Sequence, residues 1–278
     1  MANLNSVKSV YQRPARELDH LGEQLSFYIR ALAWSPRTIR RYKKEILRIL
    51  AEVTLGSGAL AVIGGTVGVI VGLCFFTGTE VGLQGYAALN QLGTAAFSGF
   101  VSAYFNTREI APLVAAIGLA ATVGCGFTAQ LGAMRISEEI DALEVMAIPS
   151  LPFLVTTRII GGLIAIIPLY VVGLLSSYFA TRLTVTQFFG QSAGTYDHYF
   201  NQFLPPGDVL WSFGKVLVFA VVVILIHCYH GYTASGGPAG VGVAVGRAVR
   251  TSIVAINVID LFLSMAIWGT TTTVRLAG

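Results

Sequence analysis

Five apolar runs, at residues 53–76, 110–133, 151–180, 209–229 and 253–268, dominate this chain. Each exceeds or approaches the roughly 20 residues that a helix needs to cross a bilayer. The composition agrees: 54% of residues are hydrophobic, 12% are charged and the mean hydropathy is +0.70. A soluble protein carries roughly a quarter charged residues. The fold class that follows is an all-α polytopic membrane protein, its 278 residues forming one bundle rather than several domains. The first 50 residues are polar and show no cleavable signal.

Charge distribution orients the bundle. Ten of the 18 Lys and Arg residues fall between Lys8 and Arg48, which places the N-terminus in the cytoplasm. Ser35 and Pro36 suit N-cap and first-turn positions. From there Ile39, Tyr42, Ile46 and Ile49 form an apolar stripe, opposed by Arg37, Arg40, Arg41, Lys44 and Arg48. Residues 1–50 therefore read as interfacial helices on an anionic leaflet, and not as a nucleic-acid site. Residues 51–278 form the transmembrane domain.

Segment 86–105 carries Asn90, Gln91, Thr94, Ser98 and Ser102, a weak spanning signal. A sixth crossing there would turn Arg247 and Arg250 outward, against the positive-inside bias. It is expected to be a partial or re-entrant element on the outer side, leading into a long second span. Five crossings leave the C-terminus outside, and the aromatic-rich segment 181–208 folded at the outer boundary. The glycine-rich stretch 235–247 follows an apolar run rather than a strand and reads as a flexible cytoplasmic loop.

Between the second and third runs the apolar character stops at Arg135, and ISEEIDALEVMAI follows at 136–148. Glu138, Glu139, Asp141 and Glu144 keep this element out of lipid, and it is too short to span. Ile136, Ile140, Leu143 and Ala147 recur at helical spacing, so it offers one face to a neighbour. A short helix held between two spans can receive force from a soluble motor. The alternative is an ordinary solvated loop helix.

A few polar residues stand inside the apolar runs. Arg108 and Glu109 are adjacent at the start of the second run, where they either pair at membrane depth or end a helix at headgroup level. Lys215 is close enough to the start of its run to snorkel outward. Asp260 lies near mid-span and needs a buried partner, such as His227. Gly64, Gly68 and Gly72 form two overlapping GxxxG units, a close-packing surface within the chain or in a dimer. Cys74, Cys125 and Cys228 have neither disulfide nor metal-ligand spacing. There is no phosphate-cradling G-x-x-x-x-G-K-[ST] loop, and no nucleophile–base–orienter set can be placed, so no catalytic or metal residues are assigned.

The segment from Arg108 to Ser150 resembles the signature of the MlaE/YrbE permease family. Arg108, Glu109 and Pro112 match its Arg-Glu-x-x-Pro opening. Thr128, Ala129, Gly132, Met134 and Arg135 match the end of its glycine-rich span. Glu138, Ile140, Asp141, Ala142, Leu143 and Met146 match its acidic helix. Thr122 and Gln130 depart from the pattern, since many members carry Arg and Glu there. The wording of residues 149–158 looks closest to actinobacterial YrbE proteins.

The resemblance implies the membrane subunit of an ABC transporter that moves lipids across the bacterial envelope together with Mce proteins, in the plasma (inner) membrane. Residues 136–148 would be the coupling helix, with Ser137, Glu138, Glu139, Asp141, Ala142, Leu143, Glu144 and Met146 meeting a cytoplasmic ATPase dimer. ATP and Mg would sit on that ATPase, leaving this chain without a cofactor. A second, non-identical permease would pair across first-span and fifth-span surfaces, with an Mce assembly over the outer face. The competing readings are an ion- or proton-coupled secondary transporter using Arg108, Glu109, Lys215 and Asp260, and a noncatalytic scaffold for envelope proteins.

Overall fold

The computed structural model describes residue 19 and residues 21–55 and 65–269, and the regular elements among them are all helices. They are α1 (residues 21–33), α2 (Ser35–Arg41), α3 (Lys43–Leu55), α4 (Thr66–Gln91), α5 (Ala95–Ile136), α6 (Glu139–Val145), α7 (Leu151–Phe188), α8 (Ala193–Gln202), α9 (Pro206–Tyr232) and α10 (Gly237–Trp268). Five of these, α4, α5, α7, α9 and α10, are long and apolar enough to cross a membrane. A helix suits that setting because it satisfies its backbone groups within the segment.

The expected number of crossings stands, but several boundaries move. The first spanning helix begins at Thr66 rather than in the low fifties, because 53–55 belong to α3. Segment 86–105 is not re-entrant: α4 runs to Gln91, Gly93 turns the chain at φ 71°, and α5 starts at Ala95. Of its polar residues Asn90, Gln91 and Thr94 are exposed at the turn, whereas Ser98 and Ser102 are buried. Ser98 bonds Gln191, and further along α5 Asn106 donates to Thr181 at 2.8 Å. The stretch 235–247 is not a flexible loop either, since α10 starts at Gly237. Its small residues let it lie against α5, where a Cβ on Gly132 would meet Val241 at 2.8 Å.

The α7 helix forms the centre. Its buried face is rich in small residues (Gly161, Gly162, Ala165, Gly173, Ser177), which lets neighbouring backbones approach. A Cβ on Gly78 of α4 would collide with the Ser177 backbone, and one on Gly82 would meet Thr184 at 2.9 Å. Helix α3 docks on the same helix, with Ile46 and Ile49 buried and Ile49 filling the space above Gly161. The helix predicted from Ser35 is broken at Tyr42, and Trp34 rather than Ser35 occupies its N-cap position.

The α5–α7 connection, carrying α6, and the short α9–α10 turn lie at one end of the bundle, the near end. The α4–α5 turn and α8 lie at the far end. There aromatic pairs close the surface: Tyr86 stacks on Phe189 at 4.2 Å, and Phe97 meets Tyr199 at 4.5 Å.

Candidate functional site

Two constellations stand out, one at each end. At the near end the regular part of the acidic element is Glu139–Val145, shorter than the expected 136–148. Left-handed residues flank it, Glu138 at φ 62° and Ala147 at φ 58°. Ser137 caps α5, where its hydroxyl donates to the Ala133 carbonyl at 3.0 Å, and Glu138 forms the corner. Ile140 is buried and Leu143 packs on the core, so this face anchors α6 to the bundle. Ile136 and Ala147 of the expected stripe are exposed.

Two polar links fix the angle of α6. Arg135 pairs with Asp141 at 2.7 Å, and Ser150 donates to Glu144 at 2.7 Å while bonding the Tyr232 hydroxyl. The outward surface keeps Glu138, Glu139, Ala142, Val145 and Met146 exposed, Val145 at 88%. Val145 and Met146 thus form a small apolar step framed by carboxylates.

Toward the far end, α5, α9 and α10 are joined by a seam of charge. The path along α5 from Arg108 to Ile136 is about 42 Å, a membrane thickness away from α6. Arg108 does not pair with Glu109. Its guanidinium bonds Asp208 at 2.6–2.7 Å and lies 4.1 Å over the ring of Tyr104. Trp268 donates to the same carboxylate at 3.0 Å. Lys215 does not snorkel: its side chain is fully buried and pairs with Asp260 at 2.7 Å and Glu109 at 3.1 Å. Ser264 joins them, accepting from Lys215 at 2.8 Å and donating to Glu109 at 2.8 Å.

A proline and a widened helix shape this seam locally. Pro112 has no N–H to donate to the Arg108 carbonyl four residues back. Lys215 donates to that carbonyl instead, at 2.7 Å. The preceding turns, Ser102–Ile110, are π-helical, a distortion that recurs at functional sites.

His227 is not the partner of Asp260. It is buried farther along α9, where its ring bonds Thr128 at 2.8 Å and Ser252 at 3.3 Å. Gly124 leaves the room, since a Cβ there would meet the ring at 2.7 Å. Nearer α6, buried Arg158 donates to Gln130 at 3.1 Å, and Gln130 bonds Glu52 of α3.

Gly64 lies outside the described residues, Gly68 is half-buried, and a Cβ on Gly72 would meet open space. Among the described residues no group of His, Cys, Asp or Glu is placed to hold a metal ion.

Asp208, Ser264, Trp268 and Arg158 were not singled out from the sequence. A signal existed for three of them. Asp260, Ser264 and Trp268 recur every four residues on one face of α10, and Asp208 follows Pro206 in a helical first turn.

Apolar surface is available beside the seam. A cleft of about 440 Å³ between α4 and α5 is lined by residues including Val81, Ala88, Leu89, Phe100 and Phe105. On α10, Val254, Val258, Leu261, Phe262 and Met265 are exposed.

Residues 56–266 match the family model described as Permease MlaE. The chain is 28% identical to a probable ABC transporter permease protein of Rickettsia bellii, over 94% of this chain and 97% of that protein. It is 31% identical to the chloroplastic protein TRIGALACTOSYLDIACYLGLYCEROL 1 of Arabidopsis thaliana, over 70% of this chain and 57% of that protein. Similarity also reaches the intermembrane phospholipid transport system permease protein MlaE of Haemophilus influenzae, 27% identical over 70% of this chain and 75% of that protein.

Proposed function

Because this chain belongs to the MlaE permease family, we infer that it is the membrane subunit of an ABC transporter that moves lipids. The finer reading is that α6 docks into a cytoplasmic ATPase dimer, placing the near end and the N-terminus in the cytoplasm of a plasma (inner) membrane. ATP and Mg belong to that ATPase. A second, non-identical permease pairs with this chain, and an Mce assembly receives or delivers the lipid at the far end.

The single observation that carries this reading is α6 itself. It is pinned to the bundle by Ile140, by the Arg135–Asp141 pair and by the Ser150–Glu144 bond, yet it presents Glu138, Glu139, Val145 and Met146 outward. A push on that surface passes directly into α5 and α7, which continue from its two ends. From α5 it reaches the charged seam, where α9 and α10 are held. Lipid tails need burial rather than bond chemistry, and the apolar cleft and helix faces supply it.

Co-isolation of a P-loop ATPase tests the reading. The native chain should retain the ATPase through purification, and E138K/E139K with Met146→Asp should lose it while the permease stays folded. Retention of the ATPase by that variant would remove α6 from the interface.

The seam also supports a second reading, a proton-coupled transporter. Two cations, Arg108 and Lys215, face three carboxylates, Glu109, Asp208 and Asp260. Transport that continued without any ATPase and collapsed with the proton gradient would select it.

A further inference from the structure

A pocket of about 280 Å³ lies where α2 meets the turn between α6 and α7. Arg37, Thr38, Arg40 and Arg41 line it together with Trp34, Pro149 and Pro152. The three arginines are exposed, and no described carboxylate pairs with them. Two are held by rings instead, Arg37 at 5.4 Å over Trp34 and Arg41 at 5.6 Å over Tyr42. Ring stacking fixes a guanidinium while leaving its N–H groups free to donate. Thr38 is 1% exposed, and its hydroxyl has no hydrogen-bond partner. A buried donor without a partner beside three unneutralised cations has the chemistry of an anion-binding site.

The level of the pocket identifies the anion's source. Pro152 and Phe153 belong to the first turn of α7, where a span leaves the hydrocarbon, and Tyr42 packs on Phe153 at 5.3 Å. Beside it α1 exposes Leu21, Leu25, Ile29 and Leu32 along one face, and Ile39 of α2 is exposed as well. Such a stripe belongs in the acyl–headgroup boundary, which sets the arginines at phosphate height. The volume suits a headgroup, with the tails left in the bilayer.

We propose that this pocket binds the phosphate-bearing headgroup of an anionic lipid from the leaflet on the α6 side. The bound phosphate accepts from the arginines and from Thr38, and it splints α2 to the turn behind α6. The binding claim rests only on the chain being membrane-embedded. The splinting claim rests on the role proposed for α6, and the two are measured separately.

The test uses the purified transporter complex in nanodiscs of phosphatidylcholine with rising phosphatidylglycerol, the latter brominated near its glycerol end. Quenching of Trp34, taken as the difference from the Trp34→Phe protein, reads occupancy. R37Q/R41Q should weaken occupancy roughly 25-fold, given about fivefold per cation near an anionic surface. The charge-matched K43Q/K44Q, on residues outside the pocket, should change it far less. R37K/R41K should keep most of the occupancy, showing that the fold survives. Thr38→Val should weaken it severalfold with no change of charge. Equal loss in the two Gln pairs would mean diffuse attraction and overturn the site. Loss of the Trp34 quenching when free glycerol phosphate is added to the same discs would assign a soluble anion and overturn the lipid. ATPase stimulation by phosphatidylglycerol, measured in the same discs, should fall in parallel with occupancy. Occupancy without stimulation would overturn the splint alone.

Discussion

Lys215 is the residue on which the charged seam turns. Its ammonium, fully buried, meets two carboxylates, the Ser264 hydroxyl and the carbonyl that Pro112 leaves open. Removing one partner of a buried ion pair costs about 3–5 kcal/mol, because the other charge is stranded. Lys215→Met should therefore destabilise the detergent-solubilised protein by roughly that amount. K215M/D260N should recover much of the loss, since it removes one stranded charge along with its partner. A thermal melt followed by size-exclusion reads both, and a double variant as unstable as the single would mean the pair is incidental. The neighbours Arg108 and Glu109 diverge to different partners, so a double-mutant cycle should give strong coupling for Arg108 with Asp208. Coupling between Arg108 and Glu109 should be small, and the reverse ranking would contradict the geometry. The sequence marked Arg108, Glu109, Lys215 and Asp260 as costly in lipid, which is a property of each residue alone. It did not reveal the pairing, which depends on how three helices are rotated about their axes.

Among the elements, α6 and α10 teach opposite lessons about legibility. The carboxylates of α6 made its exposure readable, because no packing arrangement hides four acids in hydrocarbon. The start of α10 was unreadable, because seven glycines and prolines within 231–246 lower helix propensity. At a membrane surface the backbone must still find partners, and close packing on Gly132 rewards small residues. The same logic displaced the α4–α5 boundary, where hydropathy scores Asn106 and Ser98 as polar although their hydrogen bonds are internal. For α6 a prediction follows from its two left-handed corners. E138G/A147G relieves a left-handed strain of about 1–2 kcal/mol at each corner and adds chain entropy of similar size, so stability should change little. Under the coupling role proposed for α6, lipid moved per ATP should fall as the corners loosen; unchanged coupling would show that the two corners transmit nothing. At the far end Asp197 of α8 pairs with Arg182 at 2.8–2.9 Å, and that guanidinium holds its carboxyl below the usual range. The tie is then present at neutral pH and lost only as pH falls below about 4, through the depressed value. Being exposed, it is worth at most about 1 kcal/mol. Amide protection factors in 193–202, which take out the intrinsic pH dependence of exchange, should fall slightly at pH 3 and be flat between pH 5 and 8, and a fall within that upper window would rule this pair out as the cause.

At the scale of the molecule, the bundle is asymmetric. In their most apolar stretches α5, α7 and α9 are half buried or more, whereas 11% of the α10 stretch is. Its bare face carries Val254, Val258, Leu261, Phe262 and Met265, a spacing that keeps one stripe in line. Exposed apolar residues in a membrane helix suit lipid as readily as protein, so the stripe by itself decides nothing. Asn257 tips the balance. It is exposed at mid-span within this face, with its amide bonded to the Ile253 carbonyl, and a polar group at that depth is costly against lipid. Against a second permease it becomes useful, since interhelical polar contacts contribute about 0.6 kcal/mol on average. By contrast Val172, Leu175 and Phe179 on α7 form an exposed row with no such polar residue exposed at its centre. These two faces give a decisive comparison. In a background with Cys74, Cys125 and Cys228 replaced by Ala, Leu261→Cys should crosslink to a matching cysteine on α10 of the partner permease in native membranes. Phe179→Cys should remain uncrosslinked and should label with a lipid-phase maleimide. Asn257→Leu should weaken crosslinking at 261 without reducing the amount of folded chain. Crosslinking at 179 in place of 261 would put the partner on α7, and the lipid path would then have to be drawn between different helices.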